Sequence, residues 1–269
     1  MTLRITQVDA FTDHPFGGNP AAVVLLSAPR SAEWMQALAQ EMNLSETAFL
    51  QARDDGYDLR WFTPTIEIDL CGHATLASAH VLWEAGVLGP EAPARFHTRS
   101  GELVARRRGN WIDIDLPAKR EQPAEAPPEL IEALGVIPIY VGRNEFDYLV
   151  EVESEAIVRN VQPGFAALKR IGVRGIMVTS RATTAPYDFV SRFFAPGSGI
   201  DEDPVTDSAH CCLGPFWGAR MGKDRLLAYQ ASPRGGVVQV ENQGDRVVLG
   251  GQAVTVFVGE LADLAMAAS

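Results

Sequence analysis

Side chains that can take up and return protons gather at a few turns of this chain. Glu46 stands in Asn43-Leu44-Ser45-Glu46-Thr47-Ala48-Phe49, after a helical stretch and just ahead of an apolar strand. A carboxylate there can be partly desolvated, which raises its pKa and makes it a better base; an ordinary surface glutamate at the end of an element fits the same pattern. His73 follows Cys71-Gly72 where a helix should begin. The positive end of a helix favours neutral imidazole, which can polarise a group or relay a proton; a capping or core histidine fits as well. Cys71 is a candidate thiolate base at the same helix start, or else a small buried hydrophobe. Gly72 permits close approach of a ligand to the backbone.

A second turn carries Asp201, Glu202, Asp203 and Pro204, followed by Thr206-Asp207-Ser208-Ala209. Such an acidic run suits a solvated loop or the N-terminal side of a helix; Asp203 could instead hold a substrate ammonium or hydroxyl. Ser208 can cap the helix or bind a carboxylate with the same hydroxyl. His210, Cys211 and Cys212, one turn further in, read as packing residues.

Other machineries are missing from the sequence. There is no GxGxxG after a strand, no Walker lysine motif, no HExxH and no GxSxG elbow. No cofactor or metal is called for, and proton transfer by side chains is the chemistry that remains. With 269 residues, 46% of them apolar, the chain can bury a core without metals or disulfides. A net charge of −11 argues against nucleic acid or an anionic membrane as the main partner. Arg106, Arg107 and Arg108 fall in a strand pattern and read as a solvated hairpin end. Three cysteines, two of them adjacent and none in a CxxC pair, suit a reducing compartment. MTLRITQVDAF holds no long apolar run, so no signal peptide is visible and a cytosolic location is expected.

The elements that must position these residues alternate along the chain. Strands are expected at 3–11, 21–26, 47–51 and 58–62. A helix capped by Ser31 should run to Met42 with Trp34, Leu38 and Met42 on one face. Another should run from His73 to Ala85 and stop at Gly86, with strands at 103–107 and 111–116 after it. The segment 121–129, rich in Pro and Glu, reads as a linker. A short helix at 130–134 and a helix starting near Ser208 follow.

Internal repetition organises this series. Arg60-Trp61-Phe62-Thr63-Pro64 is echoed by Arg192-Phe193-Phe194-Ala195-Pro196, Cys71-Gly72-His73-Ala74 by Thr206-Asp207-Ser208-Ala209, and the hairpin from Gly101 by the one from Gly236. Pro64 to Cys71 is 7 positions and Pro196 to Thr206 is 10; Pro64 to Gly101 is 37 and Pro196 to Gly236 is 40. One insertion of three residues accounts for both differences. Two similar halves, 1–118 and 119–269, are expected, and the last strand, 253–258, can cross back to the first half. Clefts between such halves are common ligand sites, and each loop-to-helix turn offers free N–H groups suited to a carboxylate.

Asp9-Ala10-Phe11, Gly18-Asn19-Pro20-Ala21-Ala22-Val23-Val24, Asn43-Leu44-Ser45-Glu46, Gly72-His73-Ala74-Thr75 and Glu202-Asp203-Pro204-Val205-Thr206 together resemble the PhzF-like family, in the family's order and over nearly the whole chain. The resemblance implies an α+β fold of the diaminopimelate-epimerase type: two similar halves, each a sheet wrapped around a central helix, with the active site between them. It implies a homodimeric, cofactor-independent isomerase or epimerase that moves a carbon-bound proton on a small carboxylated substrate. Glu46 falls on the family's catalytic glutamate, Gly72 and His73 on its Gly-His pair, and Asp203 and Ser208 on its substrate-binding residues; Asn19 lies in a motif of the same set. Asp207 departs from the family's usual glycine and puts a negative charge where a substrate carboxylate is expected. The repeat sets Thr206 against Cys71, so a two-cysteine racemisation is not supported. Two alternatives stay open: a one-base epimerase or dehydratase using Cys71, and a metabolite-binding protein that kept the fold without the activity.

Overall fold

A computed structural model of the chain describes residues 3–261. The chain forms two compact units, one of residues up to Asp115 together with those from Gly251 onward, the other of Leu116–Gly250.

In the first unit, β1 (Leu3–Ala10) pairs antiparallel with β2 (Asn19–Leu26), and helix α1 (Ala32–Met42) leads to β3 (Glu46–Arg53), parallel to β2. β4 (Gly56–Phe62) returns antiparallel along β3 and pairs with the short β5 (Glu67–Ile68). Helix α2 (Gly72–Glu84) connects to β6 (Ala94–Thr98), parallel to β4, and the antiparallel strands β7 (Gly101–Arg108) and β8 (Trp111–Pro117) follow. Ser31 caps α1, accepting the N–H of Trp34, and Asn43 ends it in the left-handed conformation. The buried stripe of α1 is Met35, Leu38 and Ala39, packed on Ile5, Val24, Phe49 and Phe62. The expected face is thus rotated by about one residue, and Trp34 and Met42 cover its margins.

Helix α2 is the centre of this unit. Its residues from Gly72 to Trp83 are buried except His80, as expected of a helix that is apolar or small on every side. Its hydroxyls find partners within the helix: Thr75 Oγ1 donates to the Cys71 carbonyl and Ser78 Oγ to that of Ala74.

The second unit repeats the plan. After β9 (Gln122–Pro123) and α3 (Pro128–Leu134) come the antiparallel β10 (Pro138–Arg143) and β11 (Asp147–Val152). Helices α4 (Glu155–Asn160) and α5 (Phe165–Arg170) lead to β12 (Gly175–Arg181), parallel to β11. β13 (Phe189–Ala195) pairs with β12 and with β14 (Ile200–Asp203). Helix α6 (Asp207–Met221) precedes β15 (Arg225–Gln230), which is parallel to β13, and β16 (Gly236–Gln243) and β17 (Arg246–Gly251) close the series. The last strand, β18 (Ala253–Leu261), runs antiparallel along all of β1, so it belongs to the first unit.

The segment expected as a linker is folded. Gln122 and Pro123 pair with Arg143 and Gly142, the Ala124 N–H donates to the Val141 carbonyl, and Pro128 opens α3. Few apolar residues are needed there, because backbone pairing to the edge of β10 holds the chain and proline suits a first helical turn. The chain changes units at Asp115/Leu116, inside β8, and again at Gly250/Gly251.

The first of the three echoes has a physical form common to both units. Arg60 makes a two-pronged pair with Glu67, at 2.7 and 2.8 Å, and lies 5.2 Å from the Phe62 ring centroid. Arg192 makes the same pair with Glu202, at 2.7 Å for both contacts, and lies 4.9 Å from Phe194. Glu202 is therefore committed to this pair and is not part of a solvated acidic loop. Pro215 sits inside α6. It has no N–H for the Cys211 carbonyl one turn back, and that carbonyl accepts the backbone N–H of Lys119 at 2.9 Å instead.

Glu155, at the first position of α4, holds the connection between β12 and β13. Its carboxylate accepts the N–H groups of Thr183 and Thr184 at 2.6 and 2.9 Å, the Thr183 hydroxyl, and the guanidinium of Arg159. Burial alone would raise its pKa, but these donors outweigh it and lower the value from 4.5 to about 2. A depressed folded-state pKa stabilises the fold above the unfolded value, and that stability is lost as the pH falls from about 4.5 towards 2. Glu155→Gln should cost about 1–3 kcal/mol at neutral pH and flatten this acid limb, as chemical denaturation at a series of pH values would show.

Candidate active site

Two parallel strands and one helix start build the site in the first unit. Asn19 and Glu46 are the first residues of β2 and β3, and Cys71 is the N-cap of α2. The turn before β2 is fixed by backbone geometry. Phe11 N–H donates to the Gln252 carbonyl at 2.7 Å and Phe16 N–H to Asp9 at 2.7 Å. Gly18 has φ +61° and lies so close to Ala10 that a Cβ would meet its carbonyl oxygen at 2.0 Å, so only glycine fits before Asn19.

These elements bring Glu46, His73, Cys71 and Asn19 together, all buried. His73 Nε2 lies 3.0 Å from Glu46 Oε2. The other ring nitrogen, Nδ1, is 3.4 Å from Asn19 Nδ2 and 3.4 Å from Cys71 Sγ. Ser45 donates its hydroxyl to Asn19 Oδ1 at 3.1 Å. The amide nitrogen of Asn19 is thus turned to the imidazole, leaving Nδ1 as acceptor and the ring proton on Nε2. An ionised Glu46 imposes the same answer, because a carboxylate accepts only from a nitrogen that carries hydrogen. Cys71 Sγ lies against the same nitrogen, as a further neighbour of the ring edge.

Asn19, expected as a substrate contact, lies beside the imidazole, with its Nδ2 3.4 Å from Nδ1. Gly72 is the first residue of α2 and is buried. Ser45 was missed as a site residue; its only signal was its place beside Glu46 in the Asn-Leu-Ser-Glu motif.

Ligand atoms of Glu46, Cys71 and His73 lie within 4.8 Å of one another, the dimensions of a three-residue metal site. A metal on Nε2 would require the remaining ring proton to sit on Nδ1, facing the Asn19 amide N–H. With the ring proton on Nε2, that nitrogen is closed to a metal.

The second unit holds the other candidates at the start of α6. Thr206 is the N-cap; its hydroxyl donates to Asp203 at 2.5 Å and its N–H to Gln230 Oε1 at 2.9 Å. Gln230, fully buried, also donates to the Asp203 carbonyl at 2.8 Å. Sequence reasoning missed this glutamine, since nothing marks it out at the end of a strand. Asp207 is buried in the first turn. Its charge is not without a counterpart. Burial pushes the Arg174 guanidinium down, but its pair with Asp147 and the carboxylates of Asp207 and Asp203 hold it above the usual range. Ser208 lies one residue further on, half-buried, and is not the cap; a hydroxyl at a helix start suits a carboxylate. His210 donates from Nδ1 to the Thr206 carbonyl at 2.7 Å, and burial lowers its pKa to about 4, so it is a neutral core residue. Burial pushes the Cys211 thiol well up and that of Cys212 to about 12, which leaves both inert.

A profile of the family described as "Phenazine biosynthesis-like protein" matches residues 8–259. The chain belongs to that family. It is 56% identical to a protein of Halalkalibacterium halodurans named an uncharacterised isomerase, over 97% of this chain and 99% of that one. A Pseudomonas aeruginosa protein with a similar name is 50% identical over the same shares. A PhzF-family crystal structure from Enterococcus faecalis superposes with a TM-score of 0.93 at 40% identity, covering 97% of this chain and all of that one. A probable proline racemase from Agrobacterium radiobacter, with a TM-score of 0.65 at 13% identity over 97% and 93% of the two chains, shares the fold alone. The PhzF-like chain is thus an α+β protein of the diaminopimelate-epimerase type and a member of an isomerase family.

The tautomer is directly measurable. Long-range ¹H–¹⁵N spectra should show His73 with its proton on Nε2 at neutral pH. Asn19→Ala or Ser45→Ala should broaden that signal into a mixture of tautomers, whereas a spectrum unchanged in both variants would refute the assignment.

Proposed function

We propose that this PhzF-like protein is a cofactor-independent isomerase in which Glu46 takes a carbon-bound proton from a small carboxylated substrate and returns it to the substrate at a different position. The contact of 3.0 Å between Glu46 and the Nε2–H of His73 carries this reading. It sets a buried carboxylate against the imidazole, and Oε2 has no hydrogen-bond partner among the described residues, which leaves it able to take a substrate proton.

In the forward step the carbon–hydrogen bond breaks, its proton bonds to a Glu46 oxygen, and its electron pair stays on the substrate, delocalised towards an electron-withdrawing group. In the return step the same proton leaves Glu46 for a neighbouring position. The charge balances at each stage without any other reactant. A carboxylated substrate is supported by the start of α2, beside Glu46, where the positive helix end favours an anion. Cys71 is less suited to be the base, because its sulfur is turned to the His73 ring.

Carboxylated compounds with an acidic C–H can be screened in heavy water for deuterium incorporation at carbon. With an exchanging compound in hand, Glu46→Gln should lower kcat by about 10²–10⁴-fold with little change in ligand binding, and Cys71→Ala should cost far less. Loss of exchange in Cys71→Ala with exchange retained in Glu46→Gln would transfer the role of base to the cysteine.

A further inference from the structure

The first unit contains a concave site that the isomerase reading does not use. A cavity of about 460 Å³ opens where the ends of β2 and β3, the start of α1, β4 and the β6–β7 turn come together. That volume is in the range of small-molecule sites. Gln51 and Arg53 line it from the far end of β3. Glu46 is the first residue of that strand, so the cavity lies roughly 17 Å from it at the usual rise per residue.

Its lining is unusual for a chain of net charge −11. Arg30, Arg53, Arg60 and Arg99 line it, with Asp58 as the one carboxylate among the lining residues. Arg53 is paired with Asp58 at 2.8 Å. Arg60 and Arg99 share Glu67, at 2.7 Å each, and Glu33 also acts on Arg60. Asp69 reaches Arg99 only at 3.8 Å, with both side chains more than half exposed, where water screens the pair. Arg30 rests on the Trp34 ring at 5.2 Å and has no ion pair among the described residues. Leu26, Met35 and Leu59 supply an apolar floor. Gln51 Oε1 is buried, with no hydrogen-bond partner among the described residues, and a buried acceptor left unpaired is costly.

We infer that this cavity binds a small organic anion with an apolar body: the anionic group on Arg30 and Arg99, the body on the Leu26–Met35–Leu59 floor, and a hydrogen-bond donor facing Gln51. The anion gains a fork of guanidinium donors, and its donor satisfies the glutamine.

The Met35 methyl group, one of 6 methionines, reports on the cavity. In protein labelled at the methionine methyls, with the Met35 signal assigned through Met35→Leu, 4-hydroxybenzoate should shift that signal saturably. The neutral 4-hydroxybenzyl alcohol should not, and benzoate, which lacks the donor, should bind more weakly. Arg30→Ala and Arg99→Ala should each raise the dissociation constant about tenfold or more. An unmoved Met35 signal, equal binding of the neutral alcohol, or affinities unchanged in both arginine variants would overturn the inference. The titrations of the unaltered protein decide the matter even if a variant fails to fold, and they need no assay of catalysis.

Discussion

A helix buried on every side has to begin somewhere that water does not reach, and the start of α2 is where this constraint acts. Gly72 and His73 are already inside the protein, and Cys71, the N-cap, contributes no side-chain hydrogen bond to the helix. The first N–H groups and the imidazole then depend on what the neighbouring strands bring to them. Strands β2 and β3, being parallel, present Asn19 and Glu46 at the same end. The proton chemistry of the site follows from this packing: Ser45 orients Asn19, Asn19 orients His73, and His73 holds Glu46.

The duplicated plan shows which parts of this arrangement are architectural and which are chemical. Cys71 and Thr206 are both N-caps in extended conformation without a side-chain cap bond. Four residues on, Thr75 and His210 both return a side-chain hydrogen bond to the carbonyl of the cap residue. The arginine–glutamate pairs on β4 and β13 match as well. What differs is polar: the first helix start carries Gly72 and His73, the second Asp207 and Ser208. The scaffold was copied, and each half then diverged in the residues that face its helix start.

Much of this was legible in the sequence. The strand and helix periods, the cap at Ser31 and the repeat are local or regularly spaced, and each reflects burial on one face of an element. The PhzF-like motifs pointed to Glu46 and His73 as a set, though nothing in their separation of 27 positions says that they touch. The supporting residues were hidden because their roles depend on tertiary contacts: Ser45 and Gln230 are ordinary polar residues until a partner 24 or more positions away is known. Glu121–Glu129 misled because composition alone makes a proline-rich acidic stretch look unfolded, whereas backbone pairing needs no apolar side chains.

The return of β18 to β1 has a consequence for how the molecule is made. The second unit is one continuous stretch, Leu116–Gly250, and all of it has been synthesised before the C-terminal strand appears. The first unit lacks the partner of Leu3 until Leu261 has been added. Domains generally fold as units during synthesis, which proceeds at about 5–20 residues per second. The half that begins the chain is thus the half that finishes last, its edge strand β1 waiting on the ribosome while the half encoded after it is already whole.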